Sequence, residues 1–366
     1  TVMLNKRIIV ENFVADERSP ISFESLNVLI DSINKEADLT FFGEKAASYQ
    51  IKQHLRNRHL IASEFKDLKT QKISSPIFVI GLPRSGTTFL FNLLAKDKLN
   101  RSPLFWEMMN PLPLAKPNSI REKFRVVRSD AILYFKEKFI PKLDDLHKIS
   151  STSPEECLLI KVFALQSIMY FYMANTPTYL EYLKGSDTTE SYVWHSRFLR
   201  ILEEISKPDR WLLKDPSHLG NLDEILSIYP EARFIHITRD PSETLPSICS
   251  LTHQVRRGFS NTINLTELGQ QTLDFWSASN DKNEKQKAHL TSEKYFTVQY
   301  KDLIEDPINL IKDIYGNFKF HLNTDTLMSM GNYIERGKRE AKAKHKYTLE
   351  DYGLTREEVH NKLNFD

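Results

Sequence analysis

Cysteine, net charge and long apolar runs are all scarce in this sequence. Its 366 residues contain two cysteines, which excludes a disulfide framework and favours a reducing compartment, so we expect a cytoplasmic location. Fifty basic and 48 acidic side chains leave a net charge of +2, without the basic excess of a general nucleic-acid binder. The most apolar stretch, residues 158–174, contains Lys161 and Gln166 and predicts a buried core helix rather than a membrane span. Residues 1–13 have no long apolar segment of the kind found in signal peptides.

What remains is an ordinary globular composition with a regular alternation of short apolar runs and helix-like segments. Strand-like runs at 78–80, 211–214, 232–239 and 294–300 are each followed by a segment with helix signals. This alternation predicts an α/β fold in which a central parallel sheet is flanked by helices in three layers. No repeat or flexible linker interrupts the chain, so we expect one domain over residues 1–366.

Two parts of that domain are predicted to be helical additions to the sheet, an N-terminal extension over 1–75 and an insert over 101–206. Within the insert, the proline-rich residues 103–117 predict a loop. Ser153 and Pro154, followed by two glutamates, are typical of a helix start. Three helices are therefore expected in the insert, at 119–137, 154–174 and 187–206.

A glycine-rich turn links the first predicted strand to the helix that follows it. Residues 77–90 read IFVIGLPRSGTTFL, in which Gly81 and Gly86 have the GxxxxG spacing of a phosphate-binding P-loop. Thr88 occupies the Ser/Thr position of that motif, but Thr87 stands where a P-loop has lysine, and Arg84 lies inside the loop. A strand, a glycine turn and a helix N-terminus form an anion site, because the first helical N–H groups lack intrahelical partners. The pattern predicts a phosphate- or sulfate-binding loop, with a purely structural turn as the alternative.

The residues that end the other strands bear on which anion is bound. A kinase or NTPase needs an acidic residue at a strand end to organise Mg²⁺, whereas here two strands end in Lys214 and Arg239. Asp215 and Asp240 follow directly, so a P-loop kinase or NTPase stays open as an alternative. Cationic strand ends favour a ligand with several anionic groups and no metal.

Four segments carry a family resemblance. The loop PRSGTTFL resembles the 5′-phosphosulfate loop of sulfotransferases that use 3′-phosphoadenosine 5′-phosphosulfate (PAPS), and RDPSETLPS resembles their 3′-phosphate motif. WLLKDPSHL is similar to the segment that supplies their catalytic lysine and histidine, and VQYKDLIEDP to the segment whose tyrosine lies near the adenine. The order and spacing of these segments match over nearly the whole chain. The sequence thus resembles the bacterial PAPS-dependent sulfotransferases related to the tyrosylprotein enzymes, which implies a P-loop-like fold, PAPS as co-substrate and adenosine 3′,5′-bisphosphate (PAP) as product.

The resemblance implies two anion subsites for PAPS. The loop would bind the 5′-phosphosulfate, and Arg239 would bind the 3′-phosphate together with Ser247, eight residues further on. Tyr300, at the end of a strand, would lie near the adenine, and a basic segment with Arg336 and Lys338 would cover the 3′-phosphate. The expected loop residues are Arg84, Ser85, Gly86, Thr87 and Thr88.

The same resemblance implies catalytic residues for an in-line, metal-independent sulfuryl transfer. His218 is the first choice for the general base, because imidazole titrates near neutral pH. It follows Lys214 by four residues, a longer gap than in the cytosolic mammalian enzymes. Lys214 would contact the bridging oxygen and stabilise the leaving phosphate, with Arg84 sharing that role. Glu107 is the runner-up base, and His147 lies in the expected acceptor region.

The acceptor is predicted only in outline. The many aromatic and apolar residues of the insert suit an apolar or aromatic small molecule or a carrier-tethered chain, with a hydroxyl or an amine as acceptor and a role in secondary metabolism. Assembly into a homodimer is a further possibility left open by the sequence, whereas nucleic acid, a membrane span and a metal are not expected. A non-catalytic nucleotide-binding module of the same fold stays open as a second alternative.

Overall fold

The computed structural model describes residue 4 and residues 23–65, 73–139, 149–339 and 347–365. These residues form two compact units. The helical unit is drawn from Thr1–Ile73, Pro103–Lys207 and Cys249–Gln271, and the sheet unit from Ser74–Ser102, Pro208–Ile248 and Thr272–Asp366. A single domain over 1–366 stays a prediction. Within the described ranges, no helix is both long enough and apolar enough to cross a membrane.

Sixteen α-helices are described, and they are numbered here in chain order. They are α1 (Phe23–Glu36), α2 (Phe41–Phe65), α3 (Thr87–Leu94), α4 (Phe105–Met109), α5 (Ile120–Phe139), α6 (Leu158–Lys161), α7 (Met169–Met173), α8 (Pro177–Gly185), α9 (Thr189–Glu203), α10 (Leu222–Ile228), α11 (Pro241–Arg256), α12 (Leu265–Lys287), α13 (Tyr300–Glu305), α14 (Pro307–Asn317), α15 (Thr324–Arg339) and α16 (Arg356–Leu363). Short 3₁₀ turns cover Val162–Ala164, Pro216–His218 and Glu350–Tyr352. Helices α11 and α12 contribute residues to both units.

The sheet unit is built on five parallel strands, which confirms the predicted α/β fold with a central parallel sheet. The strands are β1 (Pro76–Ile80), β2 (Asn100–Arg101), β3 (Arg210–Lys214), β4 (Arg233–Thr238) and β5 (Tyr295–Gln299). They pair in the order β2–β3–β1–β4–β5. In the central strand, Val79 lies opposite Lys214 of β3 on one side and Ile235 of β4 on the other.

The core of the sheet unit explains why these runs form strands. All five residues of β1 are buried, as expected for a parallel strand covered on both faces. Ile77 and Val79 pack with apolar side chains of α3, α14 and the neighbouring strands in one buried cluster. Helix α14 begins where the sequence directs it to, because Pro307 occupies the first turn and the Asp306 carboxylate accepts the Asn309 N–H (3.2 Å). Of the five strands in the described ranges, the short β2 is the one without a counterpart in the sequence prediction.

The predicted helix over 154–174 is wrong in the helical unit. The chain forms α6, a 3₁₀ turn and α7 instead, and Leu165 adopts a left-handed conformation (φ 56°). The buried Tyr179 hydroxyl supplies the reason, since it donates to the Leu165 carbonyl (2.8 Å) and accepts the Ser167 N–H (3.1 Å). These contacts replace the hydrogen bonds of a continuous helix. Pro154 lies in an isolated bridge with Leu104, so the helix-start signal there is wrong too.

Two smaller corrections concern residues near the predicted site. The proline-rich residues 103–117 are not all loop, because Phe105–Met109 form α4. Tyr300 does not end β5 but is the first residue of α13, which follows the strand without a gap.

A buried histidine in β4 makes the stability of the sheet unit sensitive to acid. The Nδ1 atom of His236 shares a hydrogen bond with the Tyr295 hydroxyl (2.8 Å), which accepts from Asn283 (2.9 Å). Burial, assisted by the charge of Lys287, lowers the pKa of His236 to about 3. Below pH 6.5 the unfolded chain therefore binds a proton at His236 that the folded chain does not. The contribution of neutral His236 to the free energy of unfolding is complete above pH 6.5 and is lost as the pH falls toward 3.

We expect His236 to contribute roughly 1.4 kcal/mol of destabilisation per pH unit in that window. Urea unfolding of wild type and His236→Gln from neutral to mildly acidic pH measures it, and the variant should show a shallower slope of stability against pH. The control lies in the same data, because above pH 6.5, where His236 is neutral in both the folded and the unfolded chain, the two proteins should have the same slope. Equal slopes for wild type and His236→Gln would contradict this assignment.

Candidate functional site

Several predicted site residues lie at the carboxyl edge of the sheet. The glycine loop follows β1, Lys214 is the last residue of β3, and Arg239 comes directly after β4. Tyr300 comes directly after β5. Parallel sheets bind ligands outside this edge, so the topology alone brings these four features to one side of the unit.

The loop needs its glycines for space as well as for backbone conformation. Gly81 has φ 142°, and a Cβ atom there would lie 2.4 Å from the Ile237 carbonyl oxygen. Gly86 has φ 100°, and a Cβ atom there would lie 2.8 Å from Cδ2 of Tyr300. Between them Arg84 adopts φ 69°, which is uncommon for a residue with a side chain and places its carbonyl toward Arg239.

Replacing Gly86 by alanine is expected to destabilise the protein by about 1–3 kcal/mol, because the left-handed backbone disfavours a Cβ atom and the Tyr300 ring occupies its space. Thermal unfolding measures this loss. The matched control is Gly316→Ala in α14, where nothing lies within 4 Å of the added methyl. That change should be neutral or stabilising. A Gly86→Ala protein as stable as wild type would argue against a demanding loop conformation.

The N-terminus of α3 is open to an anion. Gly86 is its N-cap residue and provides no side-chain cap for the first helical N–H groups. Thr87 is buried at the first position of the helix, and Thr88 is exposed beside it. The Ser85 hydroxyl is directed elsewhere, since it donates to the Leu82 carbonyl (2.7 Å) and closes the turn. Ser85 thus shapes the loop in this structure.

Lys214 extends from the end of β3 to the start of α3. Its side chain is 2% exposed, and Nζ donates to the Thr88 hydroxyl oxygen (2.8 Å). An ammonium group therefore lies beside the helix N-terminus, although the loop has Thr87 where a P-loop has lysine. The charge missing from the loop sequence is supplied by the neighbouring strand.

Two arginines and a serine from distant segments meet beside the loop. Arg84 Nε donates to Ser247 Oγ in α11 (3.0 Å), and Arg239 Nη1 donates to the Arg84 carbonyl (3.2 Å). The Arg239 guanidinium lies 4.0 Å from the centre of the Tyr300 ring. Its Nε and Nη2 atoms both donate to the Glu243 carboxylate (3.0 and 2.7 Å). The edge of Arg239 that would match two phosphate or sulfate oxygens is thus occupied by Glu243, and an anion must displace that carboxylate to bind there.

Asp215 and Asp240, which left a metal-dependent NTPase as an alternative in the sequence analysis, make contacts within the protein. Asp215 accepts both the N–H and the hydroxyl of Ser217 (2.9 and 2.8 Å) and caps the turn that contains His218. Asp240 accepts from His360 (2.9 Å) and Arg356 (3.0 Å) of α16. Burial alone would raise the pKa of Asp240, but hydrogen bonds from Ser242 and His360 outweigh it and hold that pKa below its usual value. Both carboxylates stabilise local structure.

The two candidate bases lie in different units. His218, in the sheet unit, is fully buried, and its ring meets Phe78 edge-on with the centroids 4.9 Å apart. Glu107 in α4 is 4% exposed, and its Oε2 atom accepts the Leu104 N–H (2.8 Å) at the start of its own helix. One oxygen of Glu107 therefore serves as a helix cap.

The C-terminal basic residues are not brought to the loop by any contact in the described ranges. Arg336 is exposed in the last turns of α15, and no hydrogen bond or ion pair among the described residues joins it to Arg84, Arg239 or Ser247. The Lys338 side chain and His147 lie outside the described residues.

Comparison with known proteins identifies the family. The model of the sulfotransferase family matches residues 76–323, which include the loop, Lys214, Arg239 and Tyr300. The chain belongs to the sulfotransferase family.

Solved and curated relatives agree with this membership. Sulfotransferase STF1 from Mycobacterium tuberculosis is 30% identical, with 93% of this chain and 91% of that chain covered and a TM-score of 0.75. Sulfotransferase STF9 from Mycobacterium avium shares the fold, with a TM-score of 0.87 at 23% identity over 99% of this chain and 95% of that chain. Omega-hydroxy-beta-dihydromenaquinone-9 sulfotransferase Stf3 of Mycobacterium bovis is 25% identical over 68% of this chain, which spans 64% of the length of that relative.

Sequence reasoning missed two features of this sulfotransferase-family chain. Glu243 pairs with Arg239, and the helical rule for residues four apart does not predict it, because Arg239 precedes the first residue of α11. The attachment of α16 to Asp240 through Arg356 and His360 had no signal in the sequence either, since it joins segments more than a hundred residues apart.

Proposed function

We propose that this sulfotransferase-family protein transfers the sulfuryl group of PAPS to the hydroxyl of a small apolar acceptor, in line and without a metal. One observation carries the proposal: the contact that joins Arg84, Ser247 and Arg239 beside the open N-terminus of α3. PAPS has anionic groups at two separated positions. They match two neighbouring cationic sites, one with Lys214 at the α3 N-terminus and one with Arg239, with Arg84 in the loop between them.

Each of the two sites binds a different anionic group of PAPS. The α3 N-terminus, Thr87, Thr88 and Lys214 bind the 5′-phosphosulfate, since they combine free helical N–H groups with a buried ammonium. Arg239 and Ser247 bind the 3′-phosphate, and Tyr300, which already stacks under the Arg239 guanidinium, contacts the adenine side. Arg84 lies between the two subsites and donates to either. Arg336 and Lys338 cover the 3′-phosphate in this proposal.

The reaction breaks the bond between sulfur and the bridging oxygen of PAPS and forms a bond between sulfur and the acceptor oxygen. The bridging oxygen leaves with its electron pair on PAP, where Lys214 and Arg84 stabilise the developing charge. The acceptor proton passes to His218, with Glu107 as the alternative base. Positioning and electrostatics supply most of the rate, so no metal is needed.

The acceptor proposed is an apolar alcohol. The Mycobacterium bovis relative is named as a sulfotransferase of omega-hydroxy-beta-dihydromenaquinone-9. In the helical unit, large aromatic side chains such as Trp106, Phe163, Tyr170 and Trp194 belong to the buried core, so the apolar acceptor is supported by the composition of the insert and by this relative. An amine acceptor, a carrier-tethered chain, a role in secondary metabolism, a homodimer and a cytoplasmic location stay predictions.

Nucleotide binding and acceptor turnover test this proposal in sequence. PAP is expected to raise the melting temperature in the presence of EDTA, and PAPS to be converted to PAP when apolar alcohols and lipid extracts are screened as acceptors. Stabilisation by ATP with Mg²⁺ but not by PAP would favour a kinase or NTPase. Stabilisation by PAP without turnover of any acceptor by wild type would favour a non-catalytic module.

Replacing Arg239 by alanine is expected to abolish the preference for a 3′-phosphate. Wild type should bind PAP about 10- to 100-fold more tightly than adenosine 5′-monophosphate, because the 3′-phosphate makes charge-assisted hydrogen bonds to this guanidinium. Titration calorimetry with both nucleotides measures the ratio, and it should approach one in Arg239→Ala. A nearby control is Arg356→Ala, whose side chain pairs with Asp240 and should not alter the ratio. An unchanged ratio in Arg239→Ala would remove Arg239 from the 3′-phosphate site.

A further inference from the structure

Helix α5 of the helical unit presents an apolar stripe to solvent. Its 20 residues span about 30 Å, and five of its large apolar side chains are between 58% and 88% exposed. Successive members are four, three, seven and one residues apart, and at about 100° per residue all five fall within an arc of about 100°, so they share one face of the helix. The stripe consists of Ile120, Phe124, Val127, Tyr134 and Phe135.

This concentration is unusual for the molecule. Ten large hydrophobic side chains are exposed among the described residues, and half of them belong to this one helix. The opposite face of α5 is attached to the protein, since Arg125 and Ser129 are buried and the helix packs against α4. An apolar face that remains exposed on an anchored helix indicates a surface that is covered when the protein functions.

Charge beside the stripe indicates what covers it. The helix has six basic and three acidic residues, and Arg121, Lys123 and Arg128 are exposed in its N-terminal half. The acidic Glu122 in that half is turned back to accept the Asn118 N–H (2.5 Å) at the helix start. Arg125 lies between these arginines, and burial first, then the charges of Arg121 and Arg128, lower its pKa.

We propose that α5 lies on an anionic lipid surface, with the stripe inserted below the headgroups and the flanking basic side chains paired with lipid phosphates. Aromatic and aliphatic residues on one face with lysine and arginine beside them are the combination that binds a helix in the plane of a membrane interface. A second copy of the chain fits less well, because parallel pairing along the stripe would bring the basic flanks of two helices together.

Vesicle co-sedimentation of the full chain tests this proposal. Wild type is expected to bind vesicles of phosphatidylglycerol and phosphatidylcholine at least about tenfold more tightly than vesicles of phosphatidylcholine alone, and to lose this advantage at high salt. Phe124→Ser with Phe135→Ser should weaken binding to the anionic vesicles by about tenfold or more. Lys123→Gln with Arg128→Gln should weaken it about fivefold per charge.

Matched controls come from the sheet unit. Ile304 and Met328 are 54% and 63% exposed, and replacing both by serine should leave vesicle binding unchanged. The control for charge is Lys301→Gln, at a lysine whose side chain is 79% exposed, and it should also leave vesicle binding unchanged. Because all these side chains are exposed, the variants should keep the wild-type melting temperature, which is checked first.

Two outcomes overturn the proposal. The first is that wild type binds anionic vesicles no more tightly than the variant with Phe124→Ser and Phe135→Ser. The other combines two results: wild type does not bind vesicles, and light scattering shows that it forms a concentration-dependent dimer that the same variant does not form. A second copy of the chain would then cover the stripe. Neither outcome bears on PAP binding, so this proposal and the proposed sulfuryl transfer fail independently.

Discussion

Replacing Lys214 by methionine is expected to reduce sulfuryl transfer by about 100- to 1000-fold, while PAP binding weakens by less than about tenfold. Lys214 is 2% exposed, and its Nζ donates to Thr88 Oγ1 (2.8 Å) beside the first N–H groups of α3. In the proposed reaction this ammonium faces the bridging oxygen, where charge grows in the transition state. An interaction that strengthens between ground state and transition state acts on kcat more than on ligand affinity.

Methionine is the substitution of choice because its unbranched side chain is only one atom shorter than that of lysine and lacks the charge and the donor. The melting temperature of the variant is measured first to show that it remains folded. Turnover is measured as PAP release with the acceptor selected by the screen, and affinity by titration with PAP. Thr88→Val is the paired comparison, since it removes the hydroxyl that accepts the Lys214 hydrogen bond and that is also proposed to bind the phosphosulfate, but keeps the ammonium, and it should reduce turnover about tenfold or less. Turnover by Lys214→Met within threefold of wild type would falsify the role proposed for Lys214.

The sheet could be predicted from sequence because its strands have a local signature. Phe78, Val79 and Ile80 form a continuous apolar run, and each is completely buried in the central strand. Parallel strands covered on both faces require such runs, and the segments between them are long enough for crossover helices. The glycines at 81 and 86 likewise identify the loop, because left-handed backbone and close neighbours leave no room for a Cβ atom.

The parts that could not be predicted depend on contacts between distant residues. Nothing near Leu165 indicates that the helix ends there, because the hydroxyl that replaces its hydrogen bonds belongs to Tyr179. The contact between Arg84 and Ser247 joins residues 163 positions apart, and only the fold brings them together. Motifs could therefore select candidate residues, but they could not show that Arg84 donates to Ser247 or that Arg239 is held by Glu243. That arrangement matters for the proposed site, because a phosphate must compete with Glu243 for the same guanidinium.

Replacing His218 by asparagine is expected to lower turnover by about 100- to 10,000-fold, which is the range associated with loss of a general base. His218 follows Lys214 on the turn capped by Asp215, so it belongs to the same unit as the proposed phosphosulfate site. Its complete burial suits a base that acts in a site from which water is excluded. PAP binding should be retained, because the imidazole makes no contact with the nucleotide in the proposed mechanism.

Glu107→Gln provides the matched comparison, because glutamine keeps the side-chain length and the oxygen that caps α4 but cannot take up the acceptor proton. If the carboxylate of Glu107 acts only as that cap, turnover by Glu107→Gln should stay within about tenfold of wild type. Single-turnover rates at saturating PAPS, with the melting temperature and PAP affinity of each variant measured alongside, separate a chemical role from a structural one. The opposite pattern, with Glu107→Gln inactive and His218→Asn active, would assign the proton transfer to Glu107. His218 would then be a packing residue that supports Phe78, and the longer Lys214–His218 spacing would have a structural explanation.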